Sequence, residues 1–211
     1  MEPYILDDKV KVISPVISQF FMSHYEEKGK MQALEACIVR LTIESLDLHQ
    51  TMTLCWTHGL YDAMFYVHTQ GMLDYVTPLE ELVTVLKNAL ESNQVLTSNQ
   101  VSLGNKLLVY ISSCLAGRAY PRGNIEPSQI KQVKHEVFKS ITTLHSKDAP
   151  PEEMNYPFLR TLLRFDTREF LNVLALAFEE EEFCSELGIV QRHRVIDILL
   201  EVRLFCILIQ E

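Results

Sequence analysis

Apolar side chains recur three and four positions apart along almost the whole chain, the spacing that lines one face of an α-helix. No stretch alternates apolar and polar residues for long enough to suggest a sheet. The clearest stripe is Leu79, Leu82, Val83, Leu86, Ala89 and Leu90. It follows Thr77, whose hydroxyl suits an N-cap, Pro78 at the first helical position, and Glu80 placed to close a capping box. A second stripe, Phe170, Leu171, Val173, Leu174, Ala177 and Phe178, starts behind Asp166 as cap, with Glu169 three residues on. The same spacing predicts helices near 13–27, 30–41, 47–58, 60–70, 77–92, 100–116, 127–145, 156–165, 167–182 and 190–210. Gly29, Gly59, Gly71, Gly117 and Gly188 fall at helix ends, where a left-handed cap has no Cβ to clash. Gly104 falls inside a helix and weakens it.

About ten helices joined mostly by short turns make helix hairpins, and each hairpin leaves an apolar face for its neighbour to cover. The expected fold is all-α, an α-solenoid of stacked helix hairpins. A closed bundle would show the same stripes, and no strict sequence period decides between the two. The longest loops are "GRAYPRGNIEPS" (117–128) and "HSKDAPPEEMNYP" (145–157). Residues 1–211 read as one solenoid segment, with 145–157 as a candidate subdomain break. Leu204 to Ile209 is apolar nearly all round, as expected of a piece of a longer stack or of a helix with a partner.

Composition narrows the function classes. The chain has 211 residues, 47% of them hydrophobic, which excludes disorder throughout. Its 19 Lys and Arg are scattered among 28 Asp and Glu for a net charge of −9, the wrong balance for nucleic acid. No apolar run approaches the roughly 18 residues of a membrane span. "MEPYILDDKVKV" carries no apolar stretch like that of a secretion signal. Five cysteines, Cys37, Cys55, Cys114, Cys184 and Cys206, stand far apart with no CxxC pair, and there is no Asn-x-Ser/Thr sequon. A reducing, cytoplasmic setting is expected.

Residues 54–82, "LCWTHGLYDAMFYVHTQGMLDYVTPLEEL", gather the most reactive side chains. Cys55 and His58 share one side of a helix, with His49 and His68 as further metal-ligand candidates. Cys55 also belongs to the apolar series Met52, Cys55, Trp56, Gly59 and Leu60. Core packing is therefore the expectation, with Trp56, Tyr61, Phe65 and Tyr66 as wedges between helices and Gly59 at the reversal. No GxSxG, phosphate loop, dinucleotide fingerprint or HExxH is present, so no catalytic residue, cofactor or metal is assigned. Paired acids such as Asp7–Asp8, Glu80–Glu81 and Glu152–Glu153 read as solvated surface. Glu179, Glu180, Glu181 and Glu182 stand at a helix end whose dipole they oppose, and are the candidate contact for a basic protein surface. Arg118 and Arg122 would meet an anion such as a phospholipid head group.

"LDLHQ", "LCWTHGLYDA" and "DYVTPLEEL" within 32–82, and "YPFLRTLLRFDTREFLNVLALAFEE" at 156–180, resemble the clathrin-type helical repeat region of a vacuolar protein sorting family. The likeness is to the eighth member of that set, a subunit of the CORVET endosomal tethering complex. The resemblance implies a large cytosolic protein with an N-terminal β-propeller, a long α-solenoid and a RING-like end. It also implies tethering of early endosomes before fusion, alongside an early-endosomal Rab GTPase. This chain has no propeller-like strand repeats and no Cys/His zinc pattern, so it matches the solenoid alone. The expected role is a non-catalytic scaffold that contacts other tethering-complex subunits. Rab binding would fall to regions absent here, and membrane association would be peripheral, through the complex. Two alternatives stay open: a stand-alone helical adaptor binding a peptide in a groove, and a Cys/His hydrolase-like enzyme at Cys55 and His58.

Overall fold

The computed structural model describes residues 1–208 except 93 and 148, without the side chains of 182, 187 and 203–208. Those of the apolar run Leu204–Ile209 therefore lie outside the described residues. Every regular element among the described residues is helical, which bears out the all-α helical-repeat class. The helices are α1 (Glu2–Leu6), α2 (Pro15–Glu27), α3 (Met31–Ile38), α4 (Leu48–His58), α5 (Tyr61–Tyr66) and α6 (Thr77–Glu91). They continue with α7 (Ser98–Leu115), α8 (Ile130–Ile141), α9 (Pro157–Phe165), α10 (Thr167–Ala177), α11 (Glu181–Cys184) and α12 (Glu186–Leu208). A 3₁₀ turn (Ile43–Ser45) precedes α4, and a π-helical turn (Val67–Gly71) extends α5.

The chain forms two compact units. The first comprises Met1–Pro78 and a returning segment, Ala119–Ile125. Its core is apolar residues from successive helices: Ile5, Met22, Leu34, Ile38, Cys55, Met64 and Phe65. The returning segment is fastened by side chains. Tyr120 donates its hydroxyl to Asp62 Oδ1 at 2.7 Å and sets its ring edge-on to Phe65. Arg122 forks onto both oxygens of Asp8, at 2.9 and 3.0 Å.

The second unit comprises Leu79–Arg118 and Glu126–Glu211. Here α7 packs against α8, α9 and α10, burying Leu103, Leu107, Tyr110, Ile111 and Cys114. Gly104 is where Phe165 at the end of α9 presses against α7, and a Cβ there would lie 2.2 Å from Phe165 Cζ. Space, rather than backbone freedom, explains a glycine in mid-helix. The 145–157 stretch lies within this unit, between α8 and α9.

Helix starts follow the sequence logic unevenly. Asp166 accepts the Glu169 amide N–H at 2.9 Å, as expected. At α6, Thr77 is the first helical residue rather than the cap, and the Asp74 carboxylate accepts the amides of Val76 and Thr77 at 3.0 Å. Glu80 instead accepts a hydrogen bond from the Ser140 hydroxyl at 3.2 Å. The complete capping box stands at α7, where Thr97 and Gln100 bond each other's amides. Gly188 lies in the first turn of α12 rather than beyond a helix end.

Candidate functional site

Block 54–82 is built on α4, α5 and the π turn. Asp47 caps α4 through the Gln50 amide at 3.0 Å, and Gly59 ends it with φ 65°, the left-handed turn expected of it. The inward face of α4 carries Thr51, Leu54 and Cys55. Burial, with Glu35 adding to it, pushes the Cys55 thiol up to about 12. Such a thiol stays protonated at neutral pH and is no nucleophile. His58 turns its Nε2 toward Glu26 Oε1 on α2, 2.9 Å away. His49 is exposed and His68 buried, and among the described residues no three His, Cys, Asp or Glu side chains converge as metal ligands would.

Tyr61, Phe65 and Tyr66 are buried wedges, and Tyr66 donates its hydroxyl to the Leu41 carbonyl at 2.6 Å. Trp56 corrects the expectation, being 43% exposed. One residue on from Cys55 is about 100° round the helix, so a face centred on Leu54 and Cys55 turns Trp56 outward.

The acidic run is not the tail of one long helix. α10 stops at Ala177, and Glu180 is the N-cap residue of α11. Its carboxylate meets Lys134 Nζ of α8 at 3.0 Å, and the Lys134 side chain is only 6% exposed. Glu180 therefore balances a buried ammonium. Glu179 and Glu181 are exposed, and the side chain of Glu182 lies outside the described residues. Arg118 lines one cleft with Glu179, Glu180 and Glu181, joining two features that the sequence kept apart. Arg122 belongs to the first unit, bound to Asp8, whose carboxyl it holds below the ordinary 3.8. The two arginines are thus divided between the units and each has acids beside it.

Glu153 also departs from a solvated reading. Its side chain is 3% exposed and meets Lys87 Nζ at 3.0 Å and the Ser146 amide and hydroxyl, both at 2.7 Å. Burial pushes its carboxyl up, but these donors outweigh that and hold it below the ordinary 4.5.

The family model described as Vps8 central TPR matches residues 1–178. The chain belongs to the Vps8 central TPR family. It is 49% identical over 202 residues to the human vacuolar protein sorting-associated protein 8 homolog. Identity is 43% over 199 residues to the fruit-fly homolog and 26% over 221 to the protein of Saccharomyces cerevisiae. These alignments cover 96%, 94% and 93% of this chain, but only 14%, 15% and 17% of the relatives' own lengths.

One surface of this Vps8-family chain escaped the sequence reading. On and just before α2, Val12, Val16, Ile17 and Phe20 are 71, 60, 49 and 74% exposed. The inner face of α2 buries Ser18, Phe21, Met22 and Tyr25. The signal was present in the sequence: α2 is apolar on more than the one face a surface helix needs.

Proposed function

We propose that this chain is a non-catalytic scaffold segment of an endosomal vesicle-tethering subunit of the CORVET type, supporting endosome fusion and protein transport through protein–protein contacts. The observation that carries the reading is the family match over residues 1–178, together with relatives named for vacuolar protein sorting. The buried Cys55 thiol, raised to about 12, supports a packing role for the block with the most reactive residues. Its partners are other tethering-complex subunits, with an early-endosomal Rab GTPase engaged through regions outside this chain. Its place is cytoplasmic, peripheral on the early endosome. Among the described residues no helix is long and apolar enough to cross a membrane.

Glu179, Glu181 and Glu182 are the contact residues of this reading, flanking a Glu180 committed to Lys134. The test reverses those three to Lys in the full-length subunit, spares Glu180, and measures co-precipitation of the other subunits. Recovery should fall severalfold while the helix content holds. Undiminished recovery would remove the acidic contact.

A further inference from the structure

The loop between α7 and α8 is closed at its neck. Just past α7 the Arg118 amide donates to the Ser113 carbonyl at 2.8 Å, and just before α8 the Gln129 amide donates to the Glu126 carbonyl at 2.8 Å. Between these two turns Gly117 lies so near the first residue of α8 that a Cβ would stand 2.9 Å from Ile130 Cγ2. A surface loop whose ends adjoin in this way is an Ω-loop. Its neck belongs to the second unit, yet its tip, Ala119–Ile125, belongs to the first.

The tip is docked by three side chains. Ile125 is buried, Tyr120 bonds Asp62 and packs on Phe65, and Arg122 forks onto Asp8. The chain therefore passes between the units three times, after residues 78, 118 and 125. A single passage would let either unit open alone at little cost. A docked tip changes this. With the second unit folded, α7 and α8 hold both ends of the loop, so docking the tip orders only a few residues. With the second unit open, the tip would have to stay docked between long loose stretches of chain, at a greater cost in loop entropy. With the first unit open, the tip would lose all its partners at once.

We propose that the α7–α8 loop is a clasp that makes the two units fold and unfold as one, with Tyr120, Arg122 and Ile125 as its fastening. Released, it leaves two units that open independently. Tyr120 and Arg122 are only half-buried, so substituting them loosens the clasp and leaves the helical core of each unit as it is. The inference goes beyond the scaffold role and does not rest on it.

The chain carries its own reporters, because Cys37 and Cys55 are buried in the first unit and Cys114 in the second. The test equilibrates the 211-residue chain across a urea series, applies a brief pulse of thiol reagent and locates the label by peptide mass spectrometry. A buried thiol reacts only when its unit opens. In the wild type all three cysteines should become reactive at one midpoint. Leu107→Ala, in the core of the second unit, should lower all three together. With the clasp released by Tyr120→Ala and Arg122→Ala, the Cys37 and Cys55 midpoint should fall below that of Cys114 by about 0.5 M urea or more. In that released chain Leu107→Ala should move Cys114 alone. A released first unit that fails to fold would show the same uncoupling, with Cys37 and Cys55 reactive before any urea is added and Cys114 still protected. Separate midpoints in the wild type overturn the proposal. So does a released chain in which the three cysteines still open together, or a Leu107→Ala shift confined to Cys114 while the clasp is intact.

Discussion

Gly104 lies in the middle of α7 with the Phe165 ring where a Cβ would be. Alanine there would gain about 1 kcal/mol of helix propensity. Displacing a packed ring costs about 1–3 kcal/mol, and the second effect wins. Gly104→Ala should lower the melting temperature, and adding Phe165→Leu should recover part of the loss. A Gly104→Ala variant that is more stable on its own would show that Phe165 yields freely. The thiols make a second test. Burial raises Cys37 to about 11 and Cys55 and Cys114 to about 12, from an ordinary 9.0. The folded chain keeps protons that the unfolded chain releases, so stability is full below about pH 9 and falls as pH rises toward 12. Denaturant melts between pH 8 and 11 should show this fall, and Cys55→Ala should flatten part of it; a flat wild-type profile would place the thiols in contact with water. The sequence made Cys55 readable as core because it sits in an apolar series. It misplaced Trp56 because an apolar series alone does not fix the centre of the buried face to better than one residue.

At the scale of elements, long periodic stripes were legible and short pieces were not. α6 and α7 follow their predicted spans to within two residues, whereas the helix expected over 167–182 stops at Ala177 and α11 starts at Glu181. α1 and α11 contain five and four residues, too few to show a helical period. The break between α10 and α11 was hidden for a further reason. Glu180, between the two helices, pairs with Lys134 on a distant stretch of chain, a contact that local sequence does not show. That pair makes a sharp prediction. Glu180→Gln should destabilise by about 1–3 kcal/mol, since it removes a charged partner of a buried ammonium. Glu179→Gln and Glu181→Gln, on exposed residues, should stay within about 0.5 kcal/mol of wild type. Equal effects in chemical melts of all three variants would mean that Lys134 has no need of Glu180. Glu153 was misread for a similar reason, because two adjacent acids look solvated until a lysine and a serine from elsewhere enclose one of them.

At the scale of the whole molecule, the class of fold was legible because it depends on stripe period and hairpin length, both local in sequence. The division into two units was not. The segment Ala119–Ile125 returns to the first unit through Tyr120–Asp62 and Arg122–Asp8, pairs far apart in sequence. The proposed function rests on resemblance, because no catalytic motif in the sequence points to a chemistry. The central claim is that this segment works by contact with other subunits of a tethering complex. Crosslinking mass spectrometry on the intact full-length complex tests that most directly. The account predicts lysine crosslinks from this segment to other subunits, lost when Glu179, Glu181 and Glu182 are reversed. An intact complex in which this segment crosslinks only to its own chain would contradict it.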